Sequence, residues 1–115
     1  MRAVRVRPDV VQTIEPKDLD IVLQRMEPAA GGGFDLIVAT NVLVYYNVFE
    51  QSLALANVAA MLRPGGVFLS NQVVEPLGGI PMESLGHVDI PMEDRGASTD
   101  VSQSTGDRFF LYRRQ

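Results

Sequence analysis

Residues 34–74 read as strand, helix, strand, and that order leaves few folds open. The run Phe34-Asp35-Leu36-Ile37-Val38-Ala39-Thr40 is nearly continuous in apolar character. A strand buried on both faces, as in the middle of a parallel sheet, has this pattern. In residues 48–62, Phe49, Leu53, Ala56 and Ala60 recur at helical spacing, and Leu55, Val58 and Leu62 widen the stripe. Asn47 stands where an N-cap would, and Glu50 stands where it can reach back to complete a capping box. Pro64-Gly65-Gly66 ends the helix, because glycine takes the left-handed conformation and proline cannot continue the helix. Residues 67–74 (VFLSNQVV) form the second strand. The three elements make one βαβ unit, with parallel strands and a right-handed crossover.

The flanks are less regular. Residues 4–14 alternate apolar and polar in part and suggest a strand, interrupted by Pro8. Residues 17–26 read as a short helix or as a strand end followed by a turn. Pro28 and Gly31-Gly32-Gly33 read as a loop. Residues 76–84 carry too much glycine and proline for a helix. A short strand is expected within 85–92, around Gly86-His87-Val88-Asp89-Ile90, then a polar connection over 93–106 and a terminal strand over 107–114. With no internal repeat and no linker, residues 1–115 read as one α/β domain, a βαβ core with a C-terminal β-hairpin.

Composition removes several function classes. The 115 residues hold 10 Lys+Arg against 14 Asp+Glu, a net charge of −4. Each half of the chain carries the same share, so no basic face stands out and nucleic-acid binding by bulk charge is disfavoured. The absence of cysteine excludes a disulfide framework and Cys-ligated zinc or iron–sulfur sites. A single histidine, His87, argues against a His-rich metal site or a local Ser/His triad. No apolar run approaches the roughly 18 residues of a membrane span. The start, MRAVRVRPDV, carries charges where a signal peptide needs an apolar stretch. A cytoplasmic location is expected.

In open α/β sheets, ligands bind beyond the carboxyl ends of the strands. The first strand offers Ala39, Thr40 and Asn41 there, followed by Tyr45-Tyr46. The second offers Ser70, Asn71, Gln72 and Glu75. Adjacent parallel strands would bring these groups together. The bland alternatives are that Asn41 and Asn71 are turn residues and that the tyrosines are packing residues. The Gly31–Gly33 run precedes a strand, whereas a phosphate-cradling loop follows one, so it reads as a connection. Asp18 and Asp20 read first as solvated or capping groups.

Residues 34–75 (FDLIVATNVLVYYNVFEQSLALANVAAMLRPGGVFLSNQVVE) resemble the later part of a class I S-adenosylmethionine-dependent methyltransferase. FDLIVAT with its following Asn resembles that family's fourth strand and the loop after it. LRPGGVFLSN resembles its turn into the fifth strand. The NVLVYYN segment is also similar to the chemotaxis-receptor methyltransferase group, with Asn47 in place of the usual Asp. Upstream, Asp18-Leu19 resembles the family's adenine contact: Asp18 would accept from the adenine amino group and the Leu19 N–H would face the ring.

The resemblance implies a partial Rossmann-like methyltransferase sheet and S-adenosylmethionine as cofactor, with Asp18, Leu19, Ala39, Thr40 and Asn41 on the cofactor. Methyl transfer is a displacement at an activated carbon and requires alignment more than an enzyme nucleophile. Tyr45, Tyr46 and Asn71 would border the substrate, the rings through cation–π contact, with Glu75 as a base if one is needed. The catalytic residues and the methyl acceptor stay open. The family's first strand with its glycine-rich loop, and the acid that ends its second strand, have no match; they would precede residue 1. Weak or absent cofactor binding is therefore expected. The FDLIVAT strand would be left with an open edge, so a homo-oligomer, or a missing N-terminal half, is expected to cover it. The competing reading is a non-catalytic interaction module or dimerising remnant that keeps the βαβ core.

Overall fold

The structure, a computed structural model, describes residues 3–28, 32–75, 78–91 and 106–115. Its elements are a short helix α1 (Pro8–Val11), strand β1 (Phe34–Ala39), a 3-10 turn (Leu43–Tyr45), helix α2 (Val48–Met61), and strands β2 (Leu62–Ser70), β3 (Met82–Pro91) and β4 (Gly106–Arg114). Four strands form one sheet in the order β1-β2-β4-β3. β1 and β2 run parallel with α2 between them in sequence, and β4 pairs antiparallel with both β2 and β3. The βαβ core and the C-terminal hairpin are both present. The chain leaves β2 for the outer position of β3 and returns inward as β4. Composition explains that order: β4 carries Phe109-Phe110-Leu111-Tyr112, which gains most from an interior place.

One face of the sheet meets α2. Ile37, Phe68 and Tyr112 share that face through the strand pairing, and Leu55, Val58, Ala59 and Leu62 bury against them. The rings of Phe68 and Tyr112 lie 5.9 Å apart, centroid to centroid. The opposite face leaves Leu36 and Val38 at 55% and 54% exposure. The expectation that β1 is buried on both faces therefore fails. Its apolar residues suit a central strand, but here β1 is a sheet edge with cover on one side only.

Other departures have local causes. Residues 4–14 form no strand; Pro8, at the start of α1, presets the helical φ, and no strand lies alongside to pair with. Residues 17–26 form neither helix nor strand. The Asp20 carbonyl accepts from the amides of Leu23 and Gln24, making a turn. Asn57 of α2 holds that turn by donating from Nδ2 to the carbonyls of Ile21 (2.6 Å) and Val22 (3.1 Å). Helix α2 ends at Met61 and Leu62 is already extended, with ψ 143°. Pro64 keeps Arg63 out of the helical region, so β2 starts five residues before the predicted position. It also ends sooner, at Ser70; downstream the Val74 amide donates to Tyr112 Oη at 2.9 Å. β3 is longer than predicted. The predicted connection over 93–106 lies outside the described residues, save Gly106 at the start of β4.

The capping box forms as predicted. Asn47 Oδ1 accepts from the Glu50 amide at 2.9 Å, and the Asn47 amide donates to Glu50 Oε1 at 3.2 Å. Asn47→Ala is expected to lower stability by about 1 kcal/mol, read as a drop of a few degrees in Tm by circular dichroism.

Candidate functional site

β1 and β2 stop side by side: Ala39 pairs with Ser70, the last residue of each strand. Immediately beyond, Asn41 and Asn71 close on each other. The Asn41 amide donates to Asn71 Oδ1 at 2.9 Å, and Asn71 Nδ2 donates to Asn41 Oδ1 at 2.8 Å. Asn41 has φ +58°, the left-handed region that asparagine tolerates better than most residues. Asn41 is thus a turn residue by conformation, and its amide also bridges the two strand ends. Ser70 is buried, and its Oγ accepts from the Gln72 amide at 3.0 Å.

Beside this junction is an apolar cleft of about 300 Å³ between the end of β1, α2 and the turn at Ile21. Ile21, Ile37, Ala39, Thr40, Leu43 and Phe68 are among its walls. The size is at the small end for ligand pockets. No carboxylate lines it, so the described walls could seat a flat apolar ring and not the hydroxyls of a ribose.

The structure divides the predicted site residues. Ala39 and Thr40 line the cleft, and Asn41 and Asn71 stand together at its strand ends. Asp18 is exposed and Leu19 half-buried; both precede the wall residue Ile21 closely in sequence, and neither lines the cleft. Tyr45 ends the 3-10 turn at 82% exposure, while Tyr46 is half-buried against the core. Gln51 of α2 sets this turn, its Nε2 donating to the carbonyls of Leu43 (2.9 Å) and Tyr46 (3.1 Å). Glu75 is exposed, five residues past the end of β2. His87 lies on β3 with its ring 6.0 Å from that of Phe110.

Ile21, Leu43 and Gln51 were not singled out in the sequence. Leu43 sits in a loop pattern with no period to mark it, and Ile21 belongs to a turn that Asn57 ties down and that Val22 anchors in the core. Among the described residues no group of His, Asp and Glu side chains is placed to hold a metal. Asp89 titrates below its ordinary 3.8 because Arg108 donates to it at 2.7 Å; this exposed pair bridges β3 and β4 and lines no part of the cleft. No described helix is long and apolar enough to cross a membrane.

No sequence-family profile matches the chain, and no curated protein sequence is significantly similar. Among solved structures, the N-methyltransferase NodS from Bradyrhizobium japonicum WM9 in complex with S-adenosyl-L-homocysteine is similar to it. The TM-score is 0.51 at 18% identity, over 84% of this chain and 52% of that one. The fold is that of part of a Rossmann-like methyltransferase sheet. A second structure of NodS from the same organism gives a TM-score of 0.49 at 19% identity, over 84% of this chain and 57% of that one. This chain thus spans about half the length of the solved structures it matches. The likeness reaches the methyltransferase fold at large and does not single out the chemotaxis-receptor group.

Proposed function

We propose that this chain supplies the later half of an S-adenosylmethionine-dependent methyl-transfer site. The observation that carries the reading is the junction at the strand ends, where Asn41 and Asn71 are joined beside an apolar cleft walled by Ala39 and Thr40. The cleft suits the adenine ring, with Asp18 and Leu19 on the approach to it, and the Asn41 and Asn71 amides serve as polar anchors. Tyr45, exposed on the turn after β1, borders the acceptor. When bound, the cofactor would supply a methyl group already activated on a sulfonium sulfur for displacement by the acceptor's lone pair. The chain's own residues hold, orient and exclude water. Residues 1–115 offer no counterpart of the glycine-rich loop or the ribose acid, so binding by this chain is weak.

Titrating ¹⁵N-labelled chain with S-adenosylhomocysteine tests this. Amide shifts are expected at Thr40, Asn41, Leu43 and Asn71, with a dissociation constant of about 1 mM or weaker. Asn41→Ala is a poor probe, because alanine at φ +58° is strained, so stability falls whatever the residue binds. Asn41→Gly keeps the backbone conformation and removes the amide. It should weaken binding by the roughly 1–3 kcal/mol of a lost polar contact. Shifts that avoid Thr40 and Asn71 would overturn the site.

The open edge of β1 favours a second reading, a non-catalytic module that associates through its sheet. No shift at any ligand concentration, in a chain that still self-associates, is the result that selects it.

A further inference from the structure

The two edges of the sheet are built differently. β3, at one end, is guarded. Its pairing register slips between Ser84 and Gly86, Gly86 has φ +96°, and Pro91 closes it; its carboxylates Glu83 and Asp89 are paired with Arg113 and Arg108 of β4. Charges, bulges and proline are how natural edges avoid pairing with other strands. β1, at the other end, is regular over Leu36–Ala39, its one register shift against β2 falling before that stretch, between Phe34 and Leu36. Its one charge, Asp35, is already paired with Arg63 of β2. Its outward backbone groups have no partner among the described residues.

We propose that a second copy of this chain occupies that edge, β1 against β1 about a two-fold axis through Ile37. A two-fold perpendicular to the sheet makes the strands antiparallel and consumes both unguarded edges at once. The eight-stranded sheet that results ends on β3 at both sides, the edge built to stop. Head-to-tail growth, β1 onto the partner's β3, is opposed by the bulge and the proline of β3.

Sequence sets the register. Centring on Ile37 puts Leu36 opposite the partner's Val38, apolar on apolar, and Asp35 opposite the partner's Ala39 near the strand end. Centring on Leu36 instead sets Asp35 against the partner's Ile37, and centring on Asp35 opposes two like charges, which is destabilising. The Ile37 register also pairs residues 35–39 wholly inside the strand. Ile37, Val38 and Ala39 wall the cleft described above, so the partner closes its open flank. The pairing stands on the sheet edges; a first strand supplied from elsewhere, as the proposed methyl-transfer site needs, would compete for the same edge.

The chain contains no cysteine, so single-cysteine variants report the register without background. Directly opposed residues lie about 4.5–5.5 Å apart at Cα, within disulfide reach. Two-residue offsets put Cα atoms about 8 Å apart, beyond it. Under mild oxidation Ile37→Cys is expected to run at twice the chain mass. Leu36→Cys and Val38→Cys should each stay single alone and cross-link when mixed. Light scattering on the unmodified chain should give a dimer mass, and Leu36→Lys, which places a charge on the open edge, a folded monomer. A folded monomer for the unmodified chain overturns the proposal. So does cross-linking of Leu36→Cys with itself, which means another register, or a chain without cooperative unfolding at any concentration, which means the edge is covered by something other than a second copy.

Discussion

Phe68→Ala is expected to abolish the cooperative thermal transition of this chain. Phe68 is wholly buried, with its ring against Tyr112 and the α2 residues Leu55 and Val58 in the same core. Removing a buried phenylalanine side chain costs about 3–5 kcal/mol, combining lost transfer energy with the cavity left behind. Domains of ordinary size hold only about 5–15 kcal/mol in total, and this sheet has one well-covered face. Phe68 also walls the cleft, so collapse there would close the proposed ligand site. Thermal and urea melts followed by circular dichroism check the effect. Phe68→Leu, which keeps most of the volume, should retain a transition at reduced Tm. A full-height transition for Phe68→Ala within a degree of the original would mean that this core does not carry the fold.

Gly33→Ala is expected to be the next most damaging change. A Cβ at residue 33 would lie 2.5 Å from the Arg63 amide nitrogen and 2.8 Å from the Leu62 carbonyl carbon. Both are backbone atoms at the start of β2 and cannot step aside as a side-chain tip can. The strand pairing of Phe34 with Leu62 would have to open, at a cost of roughly 1–3 kcal/mol by analogy with overpacked cores. Gly78→Ala, where a Cβ meets nothing within 4 Å, is the control and should be silent. Amide exchange on β1 and β2 would show Gly33→Ala loosening Phe34 and Leu36 first.

Gly33 illustrates where sequence reading stops. It read as part of a connecting loop, and its neighbours in sequence give no other signal. The demand for glycine comes from Arg63, thirty residues away, whose backbone passes against it. The cleft has the same character. Asn41 was legible because it follows an unbroken apolar strand; Asn71 was named among the strand-end groups although the predicted second strand ran on to residue 74, and it stands beyond β2 because that strand ends at Ser70. Ile21 was not, since its turn is brought to the cleft by long-range contacts, the hydrogen bonds from Asn57 and the burial of Val22. The tyrosines were legible as a pair and differ in the fold. The 3-10 turn held by Gln51 packs Tyr46 and exposes Tyr45.

By itself the sequence determined the local elements: the apolar run of β1, the Asn47–Glu50 box and the span of α2, and the parallel βαβ order. Each follows from residues within a few positions of one another, where side-chain period, capping and proline sterics act directly. It misplaced the core face of α2, where Phe49 is 67% exposed and Ala54, Leu55, Val58 and Ala59 are buried in place of the Phe49-Leu53-Ala56-Ala60 stripe. The tertiary structure alone decided that β1 is covered on one face only and that β4 inserts between β2 and β3. It also decided that Asn41 locks to Asn71 and that Gly33 must stay glycine. Those outcomes depend on which backbone lies alongside which, and pairing partners thirty or more residues apart leave no local trace in either segment.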